Sequence, residues 1–409
     1  MSQAWQQIEC CGSKSHPLSE CKLHFGYDKC DSVVSPRGRW KAARDMWKTA
    51  GVNGFVLERT FHRASATHQG GQAYGTQCAT FRVKECHLHK LQKGPATDVL
   101  LNRDEGLKFY KQMKTIRMLG TILFELKKEK DLISGTVHTQ TGQEACCIGI
   151  ISALKLDDPI VTTYRAHGYG YARGMTLRSI LAEISGRTTG CVKGKGGSMH
   201  IAAPRDYNFF GGFTILGSQG QIFEAFNIAS LWNLPVMYIC ENNNYAISTP
   251  VKRASASTTF YTRGDFVPGI RADGMDVLAV REATKYCADY IRDNQGPIIL
   301  VLMTYRYVGH SVNFPSTALY RTKEEEDRVK ATSDAIHNLR DKLLTSKLAT
   351  LQELSKIDAD VKEELFEATE LAKKDPLPDI SETYTDVYCD SSGSPIKGCD
   401  PWTAYIYPD

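Results

Sequence analysis

The chain has 409 residues, of which 42% are hydrophobic and 23% charged, and its formal net charge is +4. This is enough apolar sequence for one large or two medium domains with a packed core. The small charge and the interleaving of acids with bases disfavour nucleic acid as a partner. No apolar run reaches the roughly 18 residues that span a bilayer, so we expect no membrane insertion. The thirteen cysteines include adjacent pairs, which favours reduced thiols.

Residues 1–80 are predicted to be a disordered extension and a transit peptide, because they show no sustained periodicity. Residues 46–80 contain three basic residues, Lys48, Arg59 and Arg63, but only one acid, Glu58, among many hydroxylated residues. This composition is typical of a mitochondrial transit peptide. We therefore take Met46 as a hypothetical internal start, with residues 1–45 as an upstream extension. A merely flexible tail is the alternative.

Beyond Phe81, predicted helices and strands alternate. From Asp104 onward, apolar residues recur at three- and four-residue intervals as far as Leu126, which predicts an amphipathic helix. Further helices are predicted over 142–155, 176–185, 221–232 and 275–292, and strands over 159–163, 234–240 and 297–305. This succession predicts an α/β domain over 81–320, with a doubly wound, mainly parallel sheet. After Arg321, charged amphipathic helices run to Lys374, which predicts a helical C-terminal extension over 321–409.

Two segments could bind an anion. In YRAHG at 164–168, which follows a predicted strand, Arg165 could grip a phosphate while Tyr164 supplies a hydroxyl. A structural arginine is the alternative. The loop KGKGGSMH at 193–200 is not a nucleotide-binding P-loop, because that motif needs Gly-Lys followed by Ser or Thr. The glycines of this loop predict positive backbone angles and amides that could bind an anion. A plain surface loop is the alternative.

Two further segments follow later strands. The segment ENNNY at 241–245 offers hard oxygen ligands that suit a magnesium ion beside a diphosphate, with an asparagine-rich turn as the alternative. In TYRYVGHS at 304–311, His310 could donate a hydrogen bond to an anionic substrate, although it could equally be structural. The adjacent Ser311 is expected to be accessible to modification.

In their order and spacing, these segments resemble the alpha subunit of pyruvate dehydrogenase (acetyl-transferring), in the thiamine-diphosphate-dependent 2-oxo acid dehydrogenase family. The resemblance runs from Phe81 to about Ile380 and includes GQEACC, YRAHG, GKGGSMH, GQIFEAFN, RGDFVPG, DGMD, REAT and TYRYVGHS. It implies the thiamine-diphosphate-binding fold and an alpha2-beta2 heterotetramer in the mitochondrial matrix. Its activity would be oxidative decarboxylation of pyruvate, with acyl transfer to the lipoyl group of a partner acyltransferase, feeding acetyl-CoA formation. The branched-chain 2-oxo acid dehydrogenase alpha subunit fits less well at YRAHG and GKGGSMH.

The resemblance also implies which residues hold the cofactors. Tyr164 and Arg165 would grip the diphosphate of thiamine diphosphate, and Leu216 would lie beside the cofactor. Asn243 and the carbonyl of Tyr245 would bind magnesium. The carboxylate that activates the cofactor would belong to the beta subunit, so this chain alone would be inactive.

Further roles implied by the resemblance concern the substrate and regulation. His138 and His310 would face the reacting pyruvate. Ser311 would be a phosphorylation site for a regulatory kinase and phosphatase, since a phosphate there would add negative charge beside His310. Val308 and Phe314 depart from the family pattern, which has a histidine and an aspartate at these positions.

The larger departure lies between Ser218 and Gly220. The family pattern has a helix, a strand and a Gly-Asp-Gly turn there, about 30 residues in length, whereas here Gln219 leads directly into the next helix. Phe213 and Thr214 also replace an asparagine and a glycine. We expect the loss of the magnesium-binding aspartate and of one central strand, which would open a gap in the sheet. The alternative function is therefore a catalytically impaired paralogue or splice form that acts as a non-catalytic subunit.

Overall fold

The computed structural model describes residues 77–129, 132–213, 222–314 and 320–386, together with the backbone of 396–397 and 404–405. The chain divides into Met1–Gln72 and Ala73–Asp409, and every described residue lies in the second unit. The predicted transit peptide and the hypothetical start at Met46 lie outside the described residues. The first strand begins at Cys78, just ahead of the predicted domain start at 81.

The helices and strands of the described residues alternate through most of the chain. The helices are α1 (Arg103–Lys128), α2 (Glu144–Ala153), α3 (His167–Arg173), α4 (Leu177–Ile184), α5 (Pro204–Tyr207), α6 (Ile222–Leu231), α7 (Val251–Ala254), α8 (Val277–Arg292), α9 (Lys323–Ser333), α10 (Ala335–Thr345) and α11 (Leu351–Lys374). The strands are β1 (Cys78–Arg82), β2 (His87–His89), β3 (Asp98–Asn102), β4 (Ile160–Thr163), β5 (Phe209–Phe213), β6 (Met237–Asn242), β7 (Tyr245–Ala246), β8 (Thr249–Pro250), β9 (Gly269–Asp273), β10 (Ile298–Met303), β11 (Ile396–Lys397) and β12 (Ala404–Tyr405).

Helix α1 confirms the helix predicted from Asp104. Its apolar residues at three- and four-residue intervals are buried, including Phe109, Ile116 and Leu123. The helix begins at the N-cap Asn102, whose side chain accepts a hydrogen bond from the Glu105 amide at 2.8 Å. The helix therefore supports the core along one apolar stripe.

The central sheet has the strand order β2-β9-β10-β6, with β9, β10 and β6 parallel and β2 antiparallel at one edge. Alternate residues of β10 enter two different apolar clusters. Leu300 packs in the large core that includes residues of α2 and α8, whereas Val301 packs with Phe226 of α6. Helices thus cover both faces of the sheet, which confirms the predicted doubly wound, mainly parallel α/β class.

Two strand predictions need correction. Strand β6 covers Met237–Asn242 rather than 234–240, so Glu241 lies within the strand and not after it. Strand β9 was not predicted, because its short sequence GIRAD includes Arg271 and Asp273 and lacks an apolar run. Both strands lie next to β10, so both position residues near its carboxyl end.

The sheet is divided. Strands β4 and β5 form a separate parallel pair, and among the described residues β4 pairs only with β5 and β6 only with β10. Val161 on β4 is 54% exposed and Ile239 on β6 is 37% exposed, although both are strand residues with apolar side chains. Among the described residues, β4 and β6 therefore each keep one edge without a strand partner, and the lack of one helix–strand unit stays a prediction. The junction between Ser218 and Gly220 lies outside the described residues.

The region after Arg321 is helical as predicted, through α9, α10 and α11. Helices α10 and α11 pack against α1, and α11 also packs against α4. These helices therefore share the core of the α/β domain. In the described part of the chain, no helix combines the length and apolar character needed to cross a membrane.

Candidate active site

Three aromatic rings from separate segments meet near the carboxyl ends of β4 and β10. Tyr164 directly follows β4, His310 lies in the loop after β10, and His138 lies in the loop before α2. The ring centroid of His138 is 4.3 Å from that of Tyr164 and 4.9 Å from that of His310. The centroids of Tyr164 and His310 are 5.8 Å apart. Since ligands bind at the carboxyl ends of parallel strands, these rings outline the candidate site.

Arg165 is almost completely buried, and its guanidinium carbon lies 5.6 Å from the centroid of the Tyr164 ring. Its guanidinium donates hydrogen bonds to the Thr139 carbonyl at 2.6 Å and to the His310 carbonyl at 2.5 Å. Burial lowers the pKa of Arg165 to about 10, with the nearby charge of Arg306 adding to the effect. Arg165 therefore stays charged at neutral pH, yet no carboxylate among the described residues forms an ion pair with it. Its remaining N–H groups are available to an anion.

Arg306 is a second buried cation at the site, and the sequence motifs did not predict a role for it. It is only 1% exposed, and its guanidinium contacts the His310 ring and the Ile247 carbonyl. Its Nε has no hydrogen-bond partner among the described residues. A charged residue three positions after the apolar strand IILVLM was the sequence signal that could have identified it, because buried charges rarely occur without a partner.

Three histidines of this region are held neutral. Burial lowers the pKa of His138 to about 3 and that of His310 to about 4, and the charge of Arg165 adds to both effects. Burial, with Arg165, likewise lowers the pKa of His167 to about 3. At neutral pH these rings can donate or accept a hydrogen bond, but they carry no charge.

The proposed metal ligands lie on the segment after β6. The side-chain oxygen of Asn243 accepts a hydrogen bond from the Tyr245 amide at 3.3 Å, which forms a local turn. The Tyr245 hydroxyl donates to the Glu325 carboxylate at 3.0 Å. The geometry thus gives the asparagine-rich turn that the sequence offered as the alternative, and it leaves the Tyr245 carbonyl as a neutral oxygen donor.

A buried carboxylate lies close to Asn243. Glu241 accepts hydrogen bonds from the Tyr169 hydroxyl and from the Gln143 side-chain amide. Gln143 in turn accepts a hydrogen bond from Asn243 at 3.2 Å. Burial raises the pKa of Glu241 above its ordinary value. Both of its carboxylate oxygens are therefore engaged within the protein.

The donor set fits a diphosphate better than it fits the metal. Two buried guanidinium groups without carboxylate partners, Arg165 and Arg306, are suited to a polyanion. Magnesium is usually held through one or two carboxylates together with phosphate oxygens. Here Asn243 and Tyr245 offer only neutral oxygens, and the oxygens of Glu241 are already hydrogen-bonded. No group of three or more acidic, histidine or cysteine side chains arranged to hold a metal occurs in the parts of the chain that the structure describes.

The glycine-rich loop at 193–200 does not form an anion site. Its positive backbone angles are confirmed at Lys193, Gly194 and Gly197. Its amides, however, point at the buried Glu183 carboxylate, which accepts hydrogen bonds from Gly194, Gly196 and Gly197 of the loop and from Val192 just before it. Lys195 forms ion pairs with acids near residue 386. The loop is thus a structural element, and its anion-binding interpretation is wrong.

Two predicted residues remain to be placed. Ser311 is 1% exposed, and its hydroxyl has no hydrogen-bond partner among the described residues. The expectation that Ser311 is accessible is therefore wrong, since the residue is buried and its backbone forms a β-bridge with Phe314. Leu216 lies outside the described residues.

The dehydrogenase E1 component family matches the chain in two segments, residues 110–219 and 217–381. The two segments overlap at residues 217–219, at the junction where the sequence departs from the family pattern. The chain is 43% identical to the mitochondrial pyruvate dehydrogenase E1 component subunit alpha, somatic form, of Bos taurus, over 80% of this chain and 90% of the relative. It is 43% identical to the testis-specific form of Homo sapiens, over 86% of this chain and 97% of the relative.

The alignment length supports the missing unit independently. The bovine alignment spans 358 positions, whereas 80% of 409 residues is about 327, so about 31 aligned positions have no residue in this chain. That difference matches the length of one helix–strand unit. With a family match over most of its length and relatives above 40% identity, the chain belongs to the dehydrogenase E1 component family.

Proposed function

We propose that this chain is the alpha subunit of a mitochondrial pyruvate dehydrogenase, a thiamine-diphosphate-dependent oxidoreductase. The observation that carries the proposal is the pair of buried guanidinium groups, Arg165 and Arg306, beside the rings of His138, Tyr164 and His310. Such a pair suits an anionic cofactor and an anionic substrate. The relatives are named as mitochondrial alpha subunits, which supports the matrix as the location.

The residues of this chain would bind and orient the reactants. Thiamine diphosphate supplies the chemistry of decarboxylation when bound. Arg165 and Tyr164 would hold its diphosphate, and Leu216 would lie beside it. Neutral His138 and His310 would donate hydrogen bonds to the carboxylate and carbonyl oxygens of pyruvate, which stabilises charge where it develops. Asn243 and the Tyr245 carbonyl would hold magnesium, whose positive charge would be balanced mainly by the diphosphate.

The subunit would work within a larger assembly. The name alpha subunit, carried by the relatives, implies a partner beta subunit. We propose an alpha2-beta2 heterotetramer that passes the acyl group to a lipoyl-bearing acyltransferase, feeding acetyl-CoA formation. Ser311 would be the regulatory site for a kinase and a phosphatase. Because its hydroxyl is buried, the loop would have to open before modification, and a phosphate would then lie beside His310.

A titration tests the proposal. The chain is co-expressed with the beta subunit of a relative, and thiamine diphosphate binding is measured by calorimetry with and without magnesium. We expect micromolar binding and release of carbon dioxide from pyruvate. An Arg165→Met variant should lose binding, whereas Arg173→Met, which removes a buried arginine that contacts only backbone carbonyls elsewhere, should retain it.

A second candidate is a non-catalytic subunit, which the two-part family match and the neutral metal ligands favour. Assembly with the beta subunit without detectable cofactor binding would establish it. A branched-chain 2-oxo acid dehydrogenase alpha subunit is distinguished in the same assay, because it would release carbon dioxide faster from branched-chain 2-oxo acids than from pyruvate.

A further inference from the structure

Arg306 makes directed contacts to two separate parts of the candidate site. Its Nη1 lies 2.9 Å from Nδ1 of His310, and its Nη2 donates a hydrogen bond to the Ile247 carbonyl at 2.8 Å. A guanidinium has donors only, so Nδ1 of His310 must be the acceptor. In a neutral imidazole the hydrogen then lies on Nε2.

The Ile247 contact fixes the segment that bears the proposed metal ligands. Ile247 lies in the turn between β7 and β8, two residues after Tyr245, and its φ is +54°. A β-branched residue rarely adopts this left-handed conformation, so the surroundings must hold it. Arg306 supplies a charge-assisted hydrogen bond to the carbonyl of this residue. The same side chain therefore connects the β7–β8 hairpin to His310.

Arg306 is itself held in place without an acid. Arg321 donates a hydrogen bond to the Arg306 carbonyl at 2.6 Å, and no described carboxylate forms an ion pair with the Arg306 side chain. A buried cation without a paired acid is destabilising in a purely structural role. Backbone carbonyls and a histidine are weaker partners, so the arrangement points to a role at the site.

We propose that Arg306 is a positioning residue, an inference that rests on the proposed function. Arg306 holds His310 as the Nε2–H tautomer and connects it to the β7–β8 hairpin after Asn243. In this orientation the Nδ1 face of the ring is occupied by the protein. Nε2–H is then the remaining donor of a ring whose centroid lies 4.9 Å from that of His138 and 5.8 Å from that of Tyr164, and a substrate oxygen would accept its hydrogen.

The tautomer can be read directly by nitrogen-15 NMR of the alpha–beta assembly with labelled histidine, assigned by comparison with His310→Gln. We expect an unprotonated Nδ1 and a protonated Nε2 in the natural protein. Arg306→Met should give a mixture of tautomers, and kcat for pyruvate should fall by roughly 100-fold, as for loss of a positioned acid or base. Arg173→Met is the matched control, and it should leave the His310 signals unchanged.

Arg306→Lys keeps the charge, but a lysine cannot donate to both His310 and the Ile247 carbonyl. Amide exchange across 245–249 should therefore accelerate in this variant, which provides a test even if Arg306→Met fails to fold. A natural protein with hydrogen on Nδ1 would overturn the proposal. So would unchanged hairpin exchange in Arg306→Lys, or unchanged tautomers in a folded Arg306→Met. Because these signals require no bound cofactor, they separate this inference from failure of the proposed function.

Discussion

The carboxylate of Glu183 accepts a hydrogen bond from the backbone amide of Gly196 at 2.8 Å, from a position within helix α4. The amides of Gly194 and Gly197 in the same loop, and that of Val192 just before it, also donate to this carboxylate, and the Glu183 side chain is fully buried. The sequence of this loop suggested a binding site for an external anion, but the loop binds the carboxylate of Glu183 instead.

Replacement of Glu183 by Gln should therefore destabilise the fold. The neutral amide offers one oxygen instead of two and places an NH2 group against backbone donors. We expect a loss of about 3 kcal/mol, because hydrogen bonds to a buried charge are strong and unsatisfied donors are unfavourable. Calorimetric unfolding of the alpha–beta assembly measures it. Glu363→Gln, at an exposed position of α11, is the control, and equal effects of the two changes would contradict the prediction.

Arg117 connects two buried acids. It pairs with Glu144, which is fully buried, and donates to Asp334 at 2.9 Å. Burial alone would raise the pKa of Asp334, but the charge of Arg117 and its hydrogen bonds hold that pKa below its usual value. Arg117→Met would leave both carboxylates unpaired, and we expect a loss of about 3–5 kcal/mol. Urea unfolding at pH 7 tests this, with exposed Arg328→Met as control. A change below about 1 kcal/mol would refute the prediction.

Stability should fall in mild acid because His138, His167 and His310 resist protonation. Their folded-state pKa values of about 3, 3 and 4 lie below the unfolded value near 6.5. Above pH 6.5 these histidines do not make the free energy of unfolding depend on pH. As pH falls from 6.5 toward 4, the unfolded chain takes up protons that the folded chain does not, and each histidine contributes a slope approaching about 1.4 kcal/mol per pH unit.

Urea unfolding between pH 7 and 4.5 measures this slope. His167→Asn should reduce it by about one histidine's contribution, whereas His200→Asn, at an exposed position, should not. An identical slope in His167→Asn and the natural chain would show that this ring is not held neutral.

The divided sheet gives a further prediction. The test is to insert a helix–strand unit between Ser218 and Gly220. Its sequence is taken from the aligned positions that the bovine relative has and this chain lacks, and we expect it to join the β4–β5 pair to the central sheet. Amide exchange of β4 and β6 should then slow by tenfold or more, because strand edges are the part of a sheet most open to solvent. A Gly/Ser-rich insert of equal length is the control. Equal protection by both inserts would rule out strand addition.

Much of this arrangement was accessible from sequence. The apolar run of β10 and the periodic helix from Asp104 predicted the fold class. A strand buried on both faces has a continuous apolar sequence, and a helix buried along one stripe has apolar residues at regular intervals. The order of the motifs also singled out Tyr164 and His310, whose ring centroids lie 5.8 Å apart in the structure. Strand β9 was missed because polar residues interrupt it.

Other features could not be predicted, because they depend on distant partners. The loop at 193–200 carries glycines whether its amides face a ligand or the protein, and only the fold shows Glu183 beneath it. The same holds for Arg306, whose neighbours Ile247 and His310 are set by tertiary contacts. Local sequence gives backbone conformation more readily than the identity of the acceptor.

Over the part of the chain that the structure describes, β4 and β6 each have one edge without a strand partner, and this affects how much of the protein a cell would retain. Backbone groups at an unpaired edge can add a strand from any extended chain, so an unassembled copy is prone to self-association. Chaperones and proteases remove such copies, and the steady-state amount would then follow the supply of an assembly partner more closely than the supply of messenger RNA.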